Sequence, residues 1–560
     1  MRRRAGKVKQ KEAPVSRESL TLLVASTALC AAVLGFAARH LDTPGLYYDE
    51  VIQATPASEF LREGGRPLQI PGARNTRLFG GWFPLMTQPY MSALKSQLLI
   101  PVFGLFGADG ATLRRATLVW GCLGLVLCML WMRAVWGVGL AVLAGTLLAF
   151  DPSFLFVTRH DWGSVSLALV FRGGGLWLLA TGWQRDSVRR LALGGLLLGL
   201  GVTNKLDAAA FVAGAALATA VAWLGPGLRG LASRPRATAS AGAGLLAGAA
   251  PMLVTLPSVL SATRTMLHNA GVRGDEWAEK LGAWQRFLDG SYFERLVLAG
   301  GSFERMGGSA EATSSAFPWL LGASAIVVAA VVLRDHKRGG ADPRDVFALT
   351  AATATALLLL AVPRASRIHH VMNVLPLPQL IVALAATHLW RSRNAAVRAA
   401  AALGVTAVLA GSAYAASQTM DTLRTTGGIG RWSGTLARFA QTLPDDTVVV
   451  SLDWGFHAPL VLLRPELELE EPVWRLLHSA PGGPSPTLAG TTRHVYLVQE
   501  PETEVFSMGG ALLRAVGALP HGAVRIESVR DGDDRPVFKA VRFAGPHQLV
   551  YRGEFEVLLR

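Results

Sequence analysis

The sequence has 560 residues, of which 51% are hydrophobic and only 17% are charged. Soluble proteins carry about 25% charged residues, and here the charges are clumped between apolar runs long enough to form bilayer-spanning helices of roughly 20 residues. The net charge of +15 would suggest nucleic acid in a soluble protein. Because Lys and Arg concentrate in short loops and no nucleic-acid-binding motif is visible, we expect a membrane protein that binds no nucleic acid.

The chain begins with a basic segment, residues 1–18, which we interpret as a cytoplasmic tail. An apolar run at about 19–38 follows, longer than the core of a usual signal peptide, so we expect an uncleaved first transmembrane helix. The basic residues of the tail are Arg2, Arg3, Arg4, Lys7, Lys9, Lys11 and Arg17.

Ten further spans are predicted near 110–132, 137–151, 163–183, 191–204, 206–224, 239–260, 316–333, 346–363, 371–390 and 397–417. Loops then alternate between the two sides, and every loop assigned to the inside is basic, as the positive-inside rule requires. The sequence therefore predicts an α-helical polytopic protein of a bacterial-type inner (plasma) membrane, with about eleven spans within residues 19–417. The basic inside residues are Arg185, Arg189, Arg190; Arg229, Arg234, Arg236; Arg334, Lys337, Arg338, Arg344; and Arg391, Arg393, Arg398.

Three long segments are assigned to the outside. The first, 39–109, contains a helical stretch at 89–106 that is expected to lie along the membrane surface. The second, 261–315, is rich in charged and aromatic residues. The third, 418–560, has strand-like runs at 446–452, 493–499, 523–528 and 536–542 and a helical pattern at 505–518, which predict a small periplasmic or extracellular α/β domain.

Ionisable residues at the mouths of membrane helices are often functional. The first such group, Tyr47-Tyr48-Asp49-Glu50, pairs two carboxylates with aromatic rings, which suits a general base whose pKa is raised by desolvation. The alternative is that Asp49 caps a short helix beginning at Val51.

The second group is Thr158-Arg159-His160-Asp161-Trp162, between the third and fourth spans. It is either a functional cluster or only a solvated turn in a tight hairpin.

The third group is Asn204-Lys205-Leu206-Asp207, for which an anchor at the membrane surface is the favoured interpretation. The preceding Gly199 and Gly201 lack the GK[ST] of a phosphate loop, so we assign them to helix packing.

The fourth group, at the outer end of the tenth span, is Arg364, Arg367, His369 and His370. Arginines on the outer side oppose the positive-inside trend, and a lipid phosphate is their natural ligand. Adjacent histidines point in different directions on a helix and no HExxH occurs, so we expect no metal, although a divalent metal remains the alternative. All four groups share one side of the membrane, so a helix bundle would bring them into one cavity suited to group transfer from a lipid phosphate.

These patches resemble the GT-C membrane glycosyltransferases, in particular glycosyltransferase family 39, which includes protein O-mannosyltransferases and the aminoarabinose transferase acting on lipid A. The YYDE motif is similar to the family's acidic motif, and PYMSALKSQLLIPVFGLFG followed by Arg114-Arg115 is similar to the segment after it. TRHDWG resembles the second acidic site, and RxxRIHHxMNVLPLP resembles the entrance of a late span. The resemblance covers about residues 19–415 in topology; the residues from 418 onward resemble no family.

The resemblance implies transfer of a sugar from a polyprenyl phosphate to an acceptor hydroxyl, with inversion. Asp49 would be the general base and Asp161 a second cavity carboxylate. Phosphate would be held by Arg364 or Arg367 with Lys95 or Lys205; the chain has Gln88 where some relatives carry Lys. The other polar residues of these groups would contact substrate: Tyr48, Glu50, Arg159, His160, His369 and His370.

A lipid-linked donor also follows without the resemblance, because nucleotide sugars are not generally available outside and no nucleotide-binding fingerprint is visible. Candidate acceptors are a lipid, a glycan and a protein. Three alternative functions remain: a transporter or flippase, a sensor with an external ligand-binding domain, and an oligosaccharyltransferase, which usually needs a divalent metal. Clustering of the charges at one interface, without an internal repeat, argues against the transporter.

Overall fold

The computed structural model describes residues 16–222, 233–270, 274–299, 312–362, 367–477, 486–552 and 556–560. Most of the basic tail, Arg229 and Arg364 lie outside these residues. All eleven predicted spans coincide with helices, and the chain is a multi-pass membrane protein. Eight described helices are long and apolar enough to cross a bilayer: Arg17–Ala37, Gly110–Trp136, Val165–Gln184, Pro235–Leu260, Phe317–Lys337, Pro343–Ala361, Ile368–Trp390 and Ala395–Thr426.

The other three predicted spans are shorter or bent. Val138–Ala149 and Pro152–His160 together form a pair bent by 65°. Residues 158–160 therefore belong to a helix, and Arg159, His160 and Asp161 are buried, so the alternative of only a solvated turn is wrong. Val188–Asn204 and Ala208–Ala222 contain 17 and 15 residues.

Close helix contacts explain one glycine-rich stretch. A Cβ on Gly199 would lie 2.2 Å from the Leu245 carbonyl oxygen of the helix Pro235–Ala270. Since no side chain fits into that space, the predicted packing function of this glycine is confirmed.

The segment 39–109 folds into more than the predicted surface helix. Two short helices, Tyr48–Val51 and Thr55–Leu61, precede an antiparallel sheet of Arg74–Leu78, Gly81–Gln88 and Met91–Ser92. The next helix spans Leu94–Phe106 and not 89–106, because Gln88 pairs with Met91 and Met86 with Ser92 at the end of the sheet. Within 261–315, the described helices after Ala270 are Gly274–Asp289 and Tyr292–Ala299.

The C-terminal domain follows the helix Ala395–Thr426 and is built on a five-stranded sheet. Its strand order is Glu468–Glu470, Val448–Ser451, His494–Gln499, Pro536–Phe543, Val524–Arg530; the first three strands are parallel and the others antiparallel. A second, antiparallel sheet contains Glu556–Leu559, His547–Arg552 and Thr487–Gly490. The helices are Thr435–Gln441, His457–Leu463, Val473–Leu477 and Met508–Val516.

Both faces of the five-stranded sheet are buried. Val448 and Val450 pack with Leu512 on one face, whereas Val449 packs with Leu460 on the other. This explains why the strand is a continuous run of valines, as is usual for strands that are covered on both sides. The small C-terminal α/β domain that the sequence predicts is confirmed.

Candidate active site

The acidic motif forms a single helical turn, Tyr48–Val51. Tyr47 is its N-cap residue and makes no side-chain cap hydrogen bond, so Asp49 lies within the first turn. The alternative that Asp49 caps a helix beginning at Val51 is therefore wrong. Tyr47, Tyr48 and Glu50 are 3%, 1% and 1% exposed, and Asp49 between them is only half-buried.

Glu50 is held by Arg114 of the helix Gly110–Trp136. Its Oε1 accepts from Arg114 Nε at 2.6 Å and its Oε2 from Nη2 at 2.9 Å, a bidentate pair in which both side chains are 1% exposed. Although burial opposes ionisation, the Arg114 guanidinium lowers the pKa of Glu50 to about 2. Because both carboxylate oxygens are occupied, Glu50 fits the role of a fixed anchor for this turn better than the predicted contact with substrate.

Two residues of the second group pack around this anchor. His160 lies with Nδ1 3.7 Å from Glu50 Oε1 and stacks on Phe293 at 4.9 Å between ring centroids. Arg159 donates from Nη2 to the carbonyl oxygens of Arg39 (2.9 Å) and His40. Arg159 thus binds the backbone that follows the first span, and this structural role does not suit the predicted contact with substrate.

Lys95 and Asp161 form a second buried pair. Lys95 Nζ lies 2.9 Å from Asp161 Oδ2, and both side chains are 0% exposed. Asp161 has a left-handed backbone (φ 44°), and its Oδ1 accepts from Ser166 N at 2.7 Å. Lys95 Nζ also donates to the Glu50 carbonyl at 3.4 Å. This pair joins the acidic turn to the 161–164 turn, so neither side chain occupies the place in an open cavity that the resemblance implies.

The third and fourth groups meet at the turn after Val188–Asn204. Asp207 Oδ2 lies 3.2 Å from Lys205 Nζ and 2.8 Å from His370 Nδ1. Against the effect of burial, Lys205 and the hydrogen bond from His370 keep the pKa of Asp207 below its usual value. Lys205 is only 4% exposed, so the favoured interpretation of this group as an anchor at the membrane surface is wrong.

This cluster also contacts the 161–164 turn. A Cβ on Gly163 (φ 72°) would lie 3.0 Å from Lys205 Nζ and 3.5 Å from His369 Cδ2. Ser164 and Asn204 exchange two hydrogen bonds, of 2.8 and 3.0 Å. We call Lys205, Asp207, Arg367, His369 and His370 the turn cluster; Arg364 lies outside the described residues.

Tyr90 lies between the acidic turn and the turn cluster, and the sequence patterns did not single it out. Its carbonyl accepts from Leu206 N at 3.0 Å. Desolvation, Asp49 and Asp207 raise the pKa of Tyr90 and Arg367 lowers it, although Tyr90 is 37% exposed; the phenol therefore lies within electrostatic reach of both groups. Tyr90 lies in the turn between the strands Gly81–Gln88 and Met91–Ser92, and no charged motif in the sequence marks that position.

The C-terminal domain holds the other side of the acidic turn. Tyr47 stacks on Trp432 with ring centroids 4.0 Å apart and meets Trp454 edge-on at 5.3 Å. The Tyr48 hydroxyl donates to Glu471 Oε1 at 3.4 Å. No pattern in the sequence pointed to these residues of the C-terminal domain, because they lie more than 380 positions further along the chain.

A cleft of about 1060 Å³ lies beside this contact. Glu59, Arg62 and Arg66 form one side, and the strand Glu468–Glu470 with Glu471 and Trp474 forms the other. Its volume is that of a ligand-sized pocket. Within the described part of the chain, no group of three or more His, Cys, Asp or Glu side chains could hold a metal ion.

No protein-family model and no curated protein matches the chain. Solved structures do. ArnT from Cupriavidus metallidurans bound to undecaprenyl phosphate is 16% identical, with a TM-score of 0.51 over 93% of this chain and 97% of that one. Its apo form is 15% identical, with a TM-score of 0.51 over 94% and 98%. The Archaeoglobus fulgidus oligosaccharyltransferase with a tethered acceptor peptide is 14% identical, with a TM-score of 0.48 over 81% and 64%.

The chain therefore has the GT-C fold of membrane glycosyltransferases. The likeness is to ArnT, the lipid A aminoarabinose transferase, over nearly the full length of both chains. A match over 93% of the chain includes much of the C-terminal domain, although that domain resembled no family in sequence.

Proposed function

We propose that this protein is a membrane glycosyltransferase that transfers a sugar from a polyprenyl-phosphate donor to an acceptor hydroxyl, with inversion, on the outer side of a bacterial-type inner membrane. The observation that carries the proposal is the half-buried Asp49 in a turn whose neighbours are all fixed, close to a cationic cluster. The GT-C fold, and the polyprenyl phosphate in the ArnT structure of that fold, support it.

Asp49 accepts the proton of the acceptor hydroxyl. The oxygen of that hydroxyl attacks the anomeric carbon from the face opposite the phosphate, and the bond from the anomeric carbon to the phosphate oxygen breaks. The lipid phosphate leaves with the electron pair of that bond. Two fixed neighbours, Tyr48 and Glu50, keep the carboxylate in place, and such positioning is worth a large part of a barrier.

The turn cluster is the proposed site for the lipid phosphate. It holds two cationic side chains, Lys205 and Arg367, together with the Asp207 carboxylate and two histidines. Apart from the ion pair with Asp207, Lys205 Nζ has no hydrogen-bond partner among the described residues. Its remaining donors suit phosphate oxygens. Of the two lysines predicted to hold the phosphate, Lys205 fits this role and Lys95 does not, because Lys95 is already paired with Asp161.

We place the part of the acceptor beyond the reacting hydroxyl in the cleft next to Tyr48. Glu471 lines the cleft and also accepts from the Tyr48 hydroxyl, so this side chain connects the cleft to the residue before Asp49. A tryptophan with charged hydrogen-bonding side chains suits a sugar-bearing acceptor.

The test is release of polyprenyl phosphate by full-length protein given a panel of polyprenyl-phosphate sugars. We expect turnover by wild type and at least about 100-fold slower turnover by Asp49→Asn with donor binding retained, since a general base contributes about 10²–10⁴. The matched control is Asp42→Asn, an exposed carboxylate seven positions earlier. If wild type neither binds nor cleaves any lipid-linked sugar, the proposal is wrong.

A further inference from the structure

We propose that Glu471 of the C-terminal domain is a positioning residue for the Asp49 carboxylate and acts through the Tyr48 hydroxyl. The inference rests on the proposed function of Asp49 and asks what fixes the geometry of that carboxylate. It assigns to the C-terminal domain a part in the chemical step.

The acidic turn cannot hold its own shape. It contains four residues, and an isolated helix of that length is unstable because its first hydrogen bonds do not offset the cost of ordering the backbone. Its conformation therefore depends on the residues that bind its side chains. On the transmembrane side, Arg114 binds Glu50.

From the other side, Tyr48 is gripped by the C-terminal domain. Its hydroxyl lies 3.4 Å from Glu471 Oε1, and its ring packs on Trp454 with centroids 4.7 Å apart. Glu471 is itself oriented, because Trp474 Nε1 donates to its Oε2 at 2.9 Å. Asp49 thus sits between two residues that are fixed by different parts of the molecule.

Attachment of the C-terminal domain to the acidic turn does not by itself require a carboxyl group in this contact. The Glu471 side chain is 8% exposed, and its one ion-pair partner in the described chain is His457, with Nδ1 3.9 Å from Oε2. Burial, Arg66 and Arg62 lower the pKa of His457 to about 4, so that ring is neutral near pH 7 and does not compensate a carboxylate. Burying such a group is unfavourable compared with an apolar side chain of the same size. We infer that the Glu471 carboxyl group serves to fix the direction in which the Tyr48 hydroxyl points.

Removing the hydroxyl oxygen of Tyr48 tests positioning separately from packing. Tyr48→Phe keeps the buried ring, which is 1% exposed, and removes only the group that reaches Glu471. Glu471→Gln keeps an oxygen that accepts from Tyr48, whereas Glu471→Ala removes it. Glu556→Gln is the matched control, because Glu556 belongs to the same domain, is exposed, pairs with Arg552 and does not line the cleft.

The experiment measures kcat and KM for a polyprenyl-phosphate sugar with full-length protein. A misplacement of about 1 Å costs about 100-fold in rate, so we expect Glu471→Ala and Tyr48→Phe each to lower kcat by up to about 100-fold and to a similar extent, with the donor KM nearly unchanged. Glu471→Gln should recover most of the rate. The double variant Tyr48→Phe/Glu471→Ala should be no slower than Glu471→Ala, since both changes break one interaction.

Three results would overturn the positioning role: a kcat for Tyr48→Phe and Glu471→Ala that matches wild type, losses that multiply in the double variant, or an equal loss in Glu556→Gln. If Glu471→Ala does not fold, Tyr48→Phe and Glu471→Gln decide the question. If wild type cleaves no donor, the proposed function fails and this inference fails with it. An active wild type with unaffected variants contradicts positioning alone.

Discussion

The acidic turn and the turn cluster use charge in opposite ways. Around the acidic turn, Glu50 is matched by Arg114 and Asp161 by Lys95, all nearly inaccessible. In the turn cluster, Lys205 Nζ has hydrogen-bond donors left beyond its ion pair with Asp207. Balanced buried pairs hold a structure together, whereas a cation with donors left suits an anionic ligand. The comparison distinguishes residues that stabilise the structure of the site from residues that are proposed to bind the ligand.

The largest expected effect is on the balanced buried pair of Lys95 and Asp161. Lys95→Met leaves Asp161 buried without its partner, and breaking such a pair destabilises a protein by about 3–5 kcal/mol. We expect a clear fall in the melting temperature in detergent. The double change Lys95→Met/Asp161→Asn should recover much of it, because Asn carries no charge, can still accept from Ser166 N and tolerates the left-handed backbone. A Lys95→Met protein that melts like wild type but no longer binds polyprenyl phosphate would return Lys95 to the phosphate site.

The next effect sharpens the contact between Tyr48 and the C-terminal domain. Burial raises the pKa of Glu471 to about 7, whereas an unfolded glutamate loses its proton near 4.5. The folded protein therefore binds more protons between these values, and the free energy of unfolding falls as pH rises from about 4.5 to 7, by at most about 3 kcal/mol.

Glu471→Gln should remove this slope, because the amide does not titrate. The measurement is the melting temperature of both proteins from pH 5 to 8.5, taken as a difference, since Asp453, whose pKa burial also raises to about 7, contributes equally to both. His457 stays neutral over this range, as its pKa is about 4. Equal slopes in the two proteins would mean that Glu471 ionises normally and is not desolvated.

A smaller effect is expected in the turn cluster. Lys205→Met removes a donor to the phosphate, and a hydrogen bond to a charged group contributes about 1.5–3 kcal/mol, or about 10- to 100-fold in Kd. We expect weaker binding of polyprenyl phosphate, measured at a temperature where the protein is folded, because the loss of a partner for the buried Asp207 also lowers the melting temperature. Lys337→Met, at an exposed lysine, is the control. Unchanged Kd values for both variants would remove the turn cluster from the phosphate site.

The sequence predicts the membrane architecture because long apolar runs and basic loops are local signals. All eleven spans coincide with helices, and four strand-like runs match the strands Val448–Ser451, His494–Gln499, Val524–Arg530 and Pro536–Phe543. The bend after Ala149 was not predicted, because a Pro-initiated helix such as Pro152–His160 reads as a turn from composition alone.

Partners within the site were harder to predict. The residue types at Asp49, Asp161, Lys205 and His370 identify candidates, but which charge neutralises which depends on contacts across the whole chain. Lys95 and Lys205 look equivalent in sequence, yet one faces Asp161 at 2.9 Å and the other has donors left. Glu471 lies 423 positions from the tyrosine that it contacts, so no local pattern connects them.

The most direct test compares two adjacent carboxylates, Asp49 and Glu50, in one assay of sugar transfer and melting temperature. Asp49→Asn should lose turnover by at least about 100-fold and melt like wild type. Glu50→Gln should melt well below wild type, because Arg114 is left buried without its bidentate partner, at about 3–5 kcal/mol. If Asp49→Asn keeps its turnover while Glu50→Gln folds normally and is inactive, the assignment of the base to Asp49 is contradicted.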